Sequence, residues 1–149
     1  MQQKTLVKNE IRDFVLSIIK DKIDRQSNFL EFTLEASREI KKTAKYDSIR
    51  EEMQEEIYQM QKQQAFLNGL RRDMVKVKNS SAEIVRLGAL VITNKARFYI
   101  SVGLGEFFFE RDRFYAISEI SPMAQIMKGK KAGDSFVLNN ISQTIEAVI

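Results

Sequence analysis

Apolar residues spaced mostly three and four apart along the first half of the chain predict two long helices. The first stripe consists of Leu6, Val7, Ile11, Phe14, Val15, Ile18, Ile19, Ile23, Leu30, Leu34 and Ile40. The second consists of Tyr46, Ile49, Met53, Ile57, Met60, Gln64, Leu67 and Met74. Because this spacing places side chains on one helical face, we predict helices from about Val7 to Ile40 and from about Tyr46 to Met74.

The two stripes are out of phase, and this predicts a reversal of the chain. The last position of the first stripe precedes the first position of the second by six residues, or about 600° at about 100° per residue. In one unbroken helix the stripes would therefore face roughly 120° apart. An antiparallel hairpin with its bend near Lys42–Lys45 lets each stripe bury against the other. Lys41 and Lys42 suit the negative end of the first helix, and Thr43 is a candidate cap for the second.

The amino-acid composition changes near Asn79, where we place a domain boundary. Five of the six glycines and the single proline follow this point. Short runs rich in β-branched and aromatic residues predict strands at Gly88–Thr93, Phe98–Val102, Glu106–Phe109 and Phe114–Ser118, and two more within Ser135–Ile149. Pro122 opens a predicted short helix that ends before Gly129. The predicted class is α+β, with an antiparallel helical hairpin, or coiled coil, over 1–78 and a small antiparallel β-sheet domain with a short helix over 79–149.

Aromatic residues are concentrated in two of the predicted strands. They are Phe107, Phe108, Phe109, Phe114 and Tyr115. Aromatics in strands usually form core contacts and cross-strand pairs. A platform on which nucleobases stack is the alternative for the same pattern. We expect the first of these roles here.

Composition removes many kinds of chemistry. The chain has no Cys and no His, which excludes thiolate and imidazole nucleophiles, bases and metal ligands. With 24 Lys and Arg against 20 Asp and Glu, the net charge of +4 permits an acidic or nucleic-acid partner but does not predict a duplex-binding surface. No apolar run approaches the roughly 20 residues that cross a bilayer, and no signal-peptide core is present. We therefore expect a cytoplasmic protein in which only carboxylates, Lys, Tyr and backbone groups remain as chemical actors.

The segment from Ser121 to Phe136 resembles the Ser-Pro-(Ile/Leu)-(Ala/Gly)-x-x-Leu-(Leu/Ile)-Gly-Lys-x-x-Gly-Asp segment of the Gre-type transcription elongation factors. The matching residues are Ser121, Pro122, Ala124, Gly129, Lys130, Gly133 and Asp134. The start of the second predicted helix is also similar to the family's Ala-Glu-Tyr-x-x-Ala-(Arg/Lys)-Glu pattern. There the matches are Ala44, Tyr46, Arg50 and Glu51. The order and lengths of the two parts agree over nearly the whole chain.

The resemblance implies a fold, a partner and contact residues. In that family a helical hairpin is joined to an FKBP-like sheet domain, and the protein binds RNA polymerase with its hairpin tip in the secondary channel. By this resemblance the polymerase contact includes Ser121, Pro122, Met123 and Ala124. The tip corresponds to Lys41, Lys42, Thr43, Ala44, Lys45 and Tyr46. The expected partner is therefore RNA polymerase, without sequence-specific DNA binding and without a membrane, and the protein is expected to be a monomer, with a dimer left open. The resemblance also implies no intrinsic enzymatic activity and no cofactor, since such a factor at most stimulates the polymerase's own RNA cleavage.

The tip departs from the family pattern. Cleavage-stimulating members carry Asp-Leu-x-Glu-Asn-Ala-Glu-Tyr, in which the Asp and the first Glu help to hold a catalytic magnesium ion. Glu39 stands at the Asp position, but Lys42 and Lys45 replace the two glutamates. Magnesium prefers oxygen ligands, and a nearby ammonium group repels it. Glu35 precedes Glu39 by four residues, so this pair of acids is the weak candidate for a shifted catalytic site.

Three functions remain open from the sequence. The favoured one is a Gre-like factor that binds polymerase with a tip that does not strongly stimulate RNA cleavage. The second is an active cleavage factor in which Glu35 or Glu39 reaches the polymerase's own magnesium site, so that any metal is supplied by the polymerase. The third is a coiled-coil interaction protein whose sheet domain has no known ligand, since a fold does not carry an activity with it.

Overall fold

Two long helices form the first half of the molecule, as predicted. The computed structural model describes residues 2–149, with side chains from Val7 onward, so Leu6 of the predicted stripe lies outside the described side chains. Helix α1 covers Gln2–Arg38 and helix α2 covers Asp47–Met74, and a single 3-10 turn at Ala44–Tyr46 precedes α2. The helix break between them confirms the predicted reversal.

The second half is a six-stranded sheet with one short helix. The strands are β1 (Leu90–Thr93), β2 (Arg97–Ser101), β3 (Gly105–Phe109), β4 (Asp112–Ser118), β5 (Ser135–Leu138) and β6 (Ile141–Val148), and helix α3 covers Pro122–Met127. Their order across the sheet is β3-β4-β2-β1-β6-β5. With two packed helices before a mostly antiparallel sheet, the predicted α+β class is confirmed.

One pair of strands is parallel, which the local sequence pattern does not predict. Strand β2 pairs in parallel with β4, in a register that joins Phe98 to Tyr115 and Ser101 to Ser118. A short connection leads from β2 to β3, and the β3–β4 hairpin then brings β4 back beside β2. Strand periodicity reports which face a residue occupies but not which neighbour a strand chooses.

The chain packs as two compact units, which we describe separately. The hairpin unit is Ile18–Arg71, and the sheet unit comprises the residues up to Ser17 together with Arg72–Ile149. This grouping reflects packing and leaves the domain bounds 1–78 and 79–149 a prediction.

The hairpin unit is held together by a narrow seam. One apolar cluster in it consists of Leu30, Ile57 and Met60, with Leu34 packed against it. Ile19, Ile23, Leu67 and Leu70 are also buried in this unit. Polar contacts continue the seam, because the Gln64 Nε2 atom donates a hydrogen bond of 2.9 Å to the Ser27 hydroxyl. Ile49 of the predicted stripe is 47% exposed, so the buried seam does not reach the start of α2.

The sheet unit has a larger core. It is formed by Ala82, Val85, Ala89, Val91, Phe98, Ile100, Ala124, Met127, Phe136 and Ile145. On another part of the unit, the Phe14 ring of α1 lies with its centroid 5.4 Å from Phe109 and 6.2 Å from Phe107, and Phe107 stacks on Phe114 at 5.5 Å. The predicted core role is therefore confirmed for Phe107 and Phe114.

A lysine is fully buried in the sheet unit. The ammonium group of Lys8 donates hydrogen bonds to the carbonyl oxygens of Ser80 at 2.5 Å and Ile149 at 3.1 Å. Burial and, to a lesser extent, the positive charge of Arg86 lower the pKa of Lys8. Lys8 precedes Ile11 by three residues and thus continues the buried stripe of α1. The sequence analysis missed it because a lysine was read as a polar position.

Candidate functional site

Backbone and side-chain hydrogen bonds shape the tip of the hairpin unit. The Arg50 guanidinium of α2 donates to the Lys41 carbonyl at 2.8 Å and also pairs with the Asp47 carboxylate. The Tyr46 amide donates to the Thr43 carbonyl at 3.0 Å and closes the 3-10 turn. Arg50 thus ties the first turn of α2 to the segment that follows α1. Among the residues matched to the family pattern, Arg50 has a clear structural role.

The predicted Thr43 cap is wrong at the level of the side chain. Thr43 is extended, with φ −123° and ψ 156°, and directly precedes the 3-10 turn, but its side chain forms no capping hydrogen bond. A cap normally satisfies a free amide of the first helical turn. Here the Arg50 side chain instead binds the carbonyls that lead into the turn, at Lys41 and more weakly at Thr43.

The tip presents positive charge to solvent. Lys41, Lys42 and Lys45 are all exposed, whereas Tyr46 is half-buried. The Lys45 ammonium lies 5.7 Å from the centroid of the Tyr46 ring, within the range of a cation–π contact. With three cations and no acid over five residues, Lys41–Lys45 is suited to phosphates or carboxylates rather than to a metal ion.

The two candidate acids do not form a regular helical pair in this structure. Glu35 and Glu39 are both exposed. Helix α1 ends at Arg38, and the Glu39 amide donates to the Ala36 carbonyl at 3.3 Å in a tighter turn, so Glu39 leaves the regular helical spacing that would align it with Glu35. Over residues 2–149, no cluster of three or more acidic residues is suited to hold a metal.

The segment Ser121–Ala124 forms the start of α3. The Ser121 hydroxyl accepts a hydrogen bond of 3.2 Å from the Ala124 amide and caps the helix, and Pro122 occupies its first turn. Ala124 is buried in the core, Met123 packs against that core, and Pro122 is exposed. The structure thus brings these four residues together, and each is explained locally by capping or packing. Pro122 is the member best exposed to a partner.

The rest of the matched segment forms a tight turn after α3. Gly129 and Gly133 have φ values of 78° and 96°, a region that side chains disfavour. The Asp134 carboxylate accepts a hydrogen bond of 3.0 Å from the Lys131 amide and holds the turn closed. Gly133 and Asp134 are therefore required by the backbone, whatever the segment binds.

A hollow of about 510 Å³ lies beside α3, and we call it the α3 hollow. It is lined by Val85, Arg86, Leu87, Ile100, Glu119, Ile120, Ala124, Gln125 and Lys128. Val85, Ile100 and Ala124 are buried and apolar, whereas Ile120 is 76% exposed. An apolar floor with charged side chains around it is a common form of protein-binding surface. The sequence analysis named only Ala124 of this hollow, because its lining residues come from four separate stretches of the chain.

The hairpin unit carries exposed aromatic residues, which the sequence analysis also did not single out. Phe29 and Phe32 on α1 are 53% and 70% exposed, and Tyr58 and Phe66 on α2 are each 54% exposed. Exposed aromatics mark candidate protein-contact surfaces when several occur together.

Comparison with known proteins gives little further identification. The chain matches no family model and no curated protein. A solved structure described as the transcription factor Gfh1 aligns with 89% of this chain and 92% of its own, at 17% sequence identity and a TM-score of 0.35. At that identity and TM-score, the similarity carries no argument about function. Within residues 2–149, no helix combines the length and apolar character needed to cross a membrane.

Proposed function

We propose that this protein is a Gre-type factor that binds RNA polymerase and inserts the hairpin tip into its secondary channel without strongly stimulating RNA cleavage. The observation that carries the proposal is the tip, where a helical hairpin ends in three exposed lysines and no acid between Lys41 and Lys45. The resemblance of Ser121–Phe136 to the Gre-type segment supports the choice of partner. The protein itself would bind neither a metal ion nor a cofactor.

Charge explains how such a tip would act. A factor that stimulates cleavage must add oxygen ligands beside the magnesium of the polymerase, because ammonium groups repel the ion. Lys42 and Lys45 would instead pair with phosphate oxygens or with the acidic residues that hold the metal. The tip would therefore occupy the channel and exclude a cleavage factor.

The sheet unit would supply the docking surface. Pro122 is exposed at the start of α3, and Ala124 and Gln125 of the same helix line the α3 hollow. The apolar floor of that hollow could receive an apolar side chain of the partner. The capped α3 helix would hold this surface rigid, since Ser121 fixes its first turn. FKBP-like architecture in this unit is likewise an expectation from the resemblance.

Binding is tested with Pro122→Glu in a pull-down of core RNA polymerase. The variant adds a charge at the rim of the proposed contact, and we expect roughly tenfold weaker binding with unchanged circular dichroism. Ser142→Glu, which adds the same charge at an exposed position of β6, is the matched control and should bind like the unmodified protein. Equal binding by Pro122→Glu would place the contact elsewhere.

The tip is tested on a backtracked transcription complex mixed with an authentic cleavage factor. The unmodified protein should slow cleavage in proportion to its occupancy, and the double change Lys42→Glu, Lys45→Glu should shift it toward stimulation. Lys20→Glu, Lys22→Glu makes the same charge change at exposed positions of α1 outside the tip and should remain inhibitory. Strong magnesium-dependent cleavage by the unmodified protein, abolished by Glu39→Gln, would instead support the active cleavage factor.

A coiled-coil interaction protein is the second candidate, favoured by the four exposed aromatics of the hairpin unit. If Phe29 and Phe32 bind a second copy of the chain, sedimentation should show a dimer that Phe29→Ser, Phe32→Ser dissociates. A monomer at all concentrations would remove self-association from consideration.

A further inference from the structure

A strongly basic depression lies at one end of the sheet. It has a volume of about 380 Å³ and is lined by Lys95, Ala96, Arg97, Phe108, Arg111, Asp112, Arg113 and Tyr115. We call it the basic depression. Four cations face one carboxylate there, while the whole chain has an excess of only +4. The lining of the basic depression therefore carries an excess of positive charge, and the function proposed above does not use it.

Internal ion pairs do not neutralise this charge. Arg97 lies 3.9 Å from Asp112, and Arg113 lies 3.6 Å from Glu106, with all four side chains at least 40% exposed. Such exposed pairs are weak and exchange readily for a better anion. Among the described residues, neither Lys95 nor Arg111 forms an ion pair. The basic depression therefore retains free positive charge.

An aromatic ring lies open to solvent among these cations. Side chains alternate along β3, so that Phe107 is buried while the next residue, Phe108, is 53% exposed. The Arg113 guanidinium lies 5.7 Å from the centroid of the Phe108 ring. Tyr115, half-buried, adds a second ring to the same lining. Exposed rings interleaved with arginines form the kind of surface on which unpaired nucleobases stack.

The turn beside Phe108 holds a cation in an unfavourable backbone conformation. Glu110 and Arg111 join β3 to β4 with φ values of 50° and 73°. The β5–β6 hairpin uses two asparagines for the same kind of turn, Asn139 and Asn140 at 52° and 65°, and asparagine tolerates this region well. Holding Arg111 at this positive φ costs stability, and backbone strain of this kind is characteristic of functional sites.

We propose that the basic depression binds single-stranded nucleic acid. Lys95, Arg97, Arg111 and Arg113 would neutralise backbone phosphates, and a base would stack on Phe108. Cations and an exposed ring together favour an unpaired strand over an acidic protein, which would use the charge but leave the Phe108 ring without a stacking partner. The site needs neither the hairpin tip nor the α3 hollow, so it stands or fails independently of polymerase binding.

The first test compares two variants of the strained turn by fluorescence anisotropy with labelled 12-residue oligouridylate and oligothymidylate. Arg111→Asn and Glu110→Asn both relieve a positive φ and should both raise the melting temperature. Arg111→Asn should weaken binding about fivefold at about 0.1 M salt, the factor expected for one lost phosphate contact, whereas Glu110→Asn should bind equally or more tightly. Different effects on affinity with the same effect on stability cannot arise from folding. The two oligonucleotides show whether the strand is RNA or DNA.

The second test addresses stacking and charge separately. Phe108→Leu keeps an apolar side chain but loses the ring, and should weaken binding at least about fivefold while leaving the salt dependence unchanged. Arg111→Asn, Arg113→Gln should lower the slope of log affinity against log salt by about 1.4. Lys20→Gln, Lys22→Gln removes two charges from exposed positions of α1 and is the matched control.

Three results would overturn the proposal. One is no measurable binding of either oligonucleotide by the unmodified protein at low salt. Another is an equal loss of affinity in the Lys20→Gln, Lys22→Gln control, which would mean that binding follows overall charge. The third is tighter binding of a polyglutamate peptide than of either oligonucleotide, which would assign the surface to an acidic protein.

Discussion

The two units of the molecule bury their hydrophobic residues in different ways. In the sheet unit, ten buried side chains from α3, four of the strands and the segment before β1 form one cluster. In the hairpin unit the buried apolar side chains come from two helices only, and they are Ile19, Ile23, Leu30, Ile57, Met60, Leu67 and Leu70. A seam with one layer of side chains leaves each helix mostly exposed to water. A core that is covered from several directions shields its strands and helix from water. The sheet unit thus has a core covered from several directions, and the hairpin unit has a seam along one side of each helix.

The difference in core depth predicts unequal costs for the same truncation. Ile100→Ala, at a side chain 1% exposed in the sheet core, should cost about 4 kcal/mol of unfolding free energy, whereas Ile57→Ala in the seam should cost about 2 kcal/mol. The seam helices can close around the smaller side chain more readily than a core covered on all sides. Native-state hydrogen exchange of peptides from β2 and α2 measures the two separately. Equal costs would mean that the seam is packed as firmly as the core.

A glycine tests how closely the sheet unit is packed. At Gly88, where φ is 92°, an added Cβ atom would lie 2.6 Å from the Lys78 carbonyl oxygen. We expect Gly88→Ala to lower the free energy of unfolding by about 3 kcal/mol, since it combines backbone strain with a close contact to the main chain. Gly103→Ala is the control, because no atom lies within 4 Å of its Cβ position. Urea denaturation checks both, and a tolerated Gly88→Ala would show that the segment before β1 can shift.

A buried tyrosine should make the sheet unit sensitive to alkali. Burial raises the pKa of Tyr99 to about 12 from 10.0, while Arg12 lowers it and Asp13 raises it by smaller amounts. Between these two values the unfolded chain has lost a proton that the folded chain keeps, so stability falls as pH rises from 10 to 12. The full loss of unfolding free energy from this shift is about 2.7 kcal/mol.

Tyr99→Phe removes the titrating hydroxyl group and should therefore reduce the loss of stability above pH 10. The lowered pKa of Lys8 acts in the opposite direction below 10.5, but it is common to both proteins and cancels in the comparison. Urea midpoints at several alkaline pH values provide the measurement. Tyr58→Phe, at an exposed position of the hairpin unit, is the control. Parallel curves for Tyr99→Phe and the unmodified protein would contradict the assignment.

The smallest expected effect is at the tip of the hairpin unit. Arg50→Met removes the hydrogen bond to the Lys41 carbonyl and the pair with Asp47, and should cost about 0.5 to 1 kcal/mol. The rate of hydrogen exchange should nevertheless rise clearly in Lys41–Tyr46, because this short segment has few other hydrogen bonds. Arg71→Met, at an exposed position near the end of α2, should leave the tip unchanged. Unaltered exchange in Arg50→Met would mean that the backbone turn holds itself.

Most of the fold was predicted from hydrophobic periodicity, and the features that were not predicted have specific physical causes. Both helices, the bend, the strands and the capped α3 helix follow from local spacing and turn residues. The parallel β2–β4 pair does not, because the choice of neighbouring strand depends on tertiary packing. Lys8 was missed because a lysine was read as a polar position, and the carbonyl groups that bind it lie 72 and 141 residues away in sequence. Phe108 was grouped with its buried neighbours, although strand alternation could have separated it from Phe107.

The candidate site was predicted less completely. The tip lysines were found because they are contiguous and depart from a family pattern at defined positions. Arg50 was noted as a matched residue, but its hydrogen bond to the Lys41 carbonyl depends on the turn geometry. The α3 hollow and the basic depression each draw residues from separate strands and loops, so neither forms a run that a sequence pattern can reveal.

The buried ammonium group of Lys8 also bears on how the protein reaches its folded state. Both carbonyl groups that receive its hydrogen bonds belong to residues made much later by the ribosome, one of them at Ile149. Until those residues emerge, the start of α1 must stay hydrated or find temporary partners. Contacts between such distant parts of a chain slow folding, since a long loop must close first. We therefore expect the first turns of α1 to become protected from exchange late in refolding.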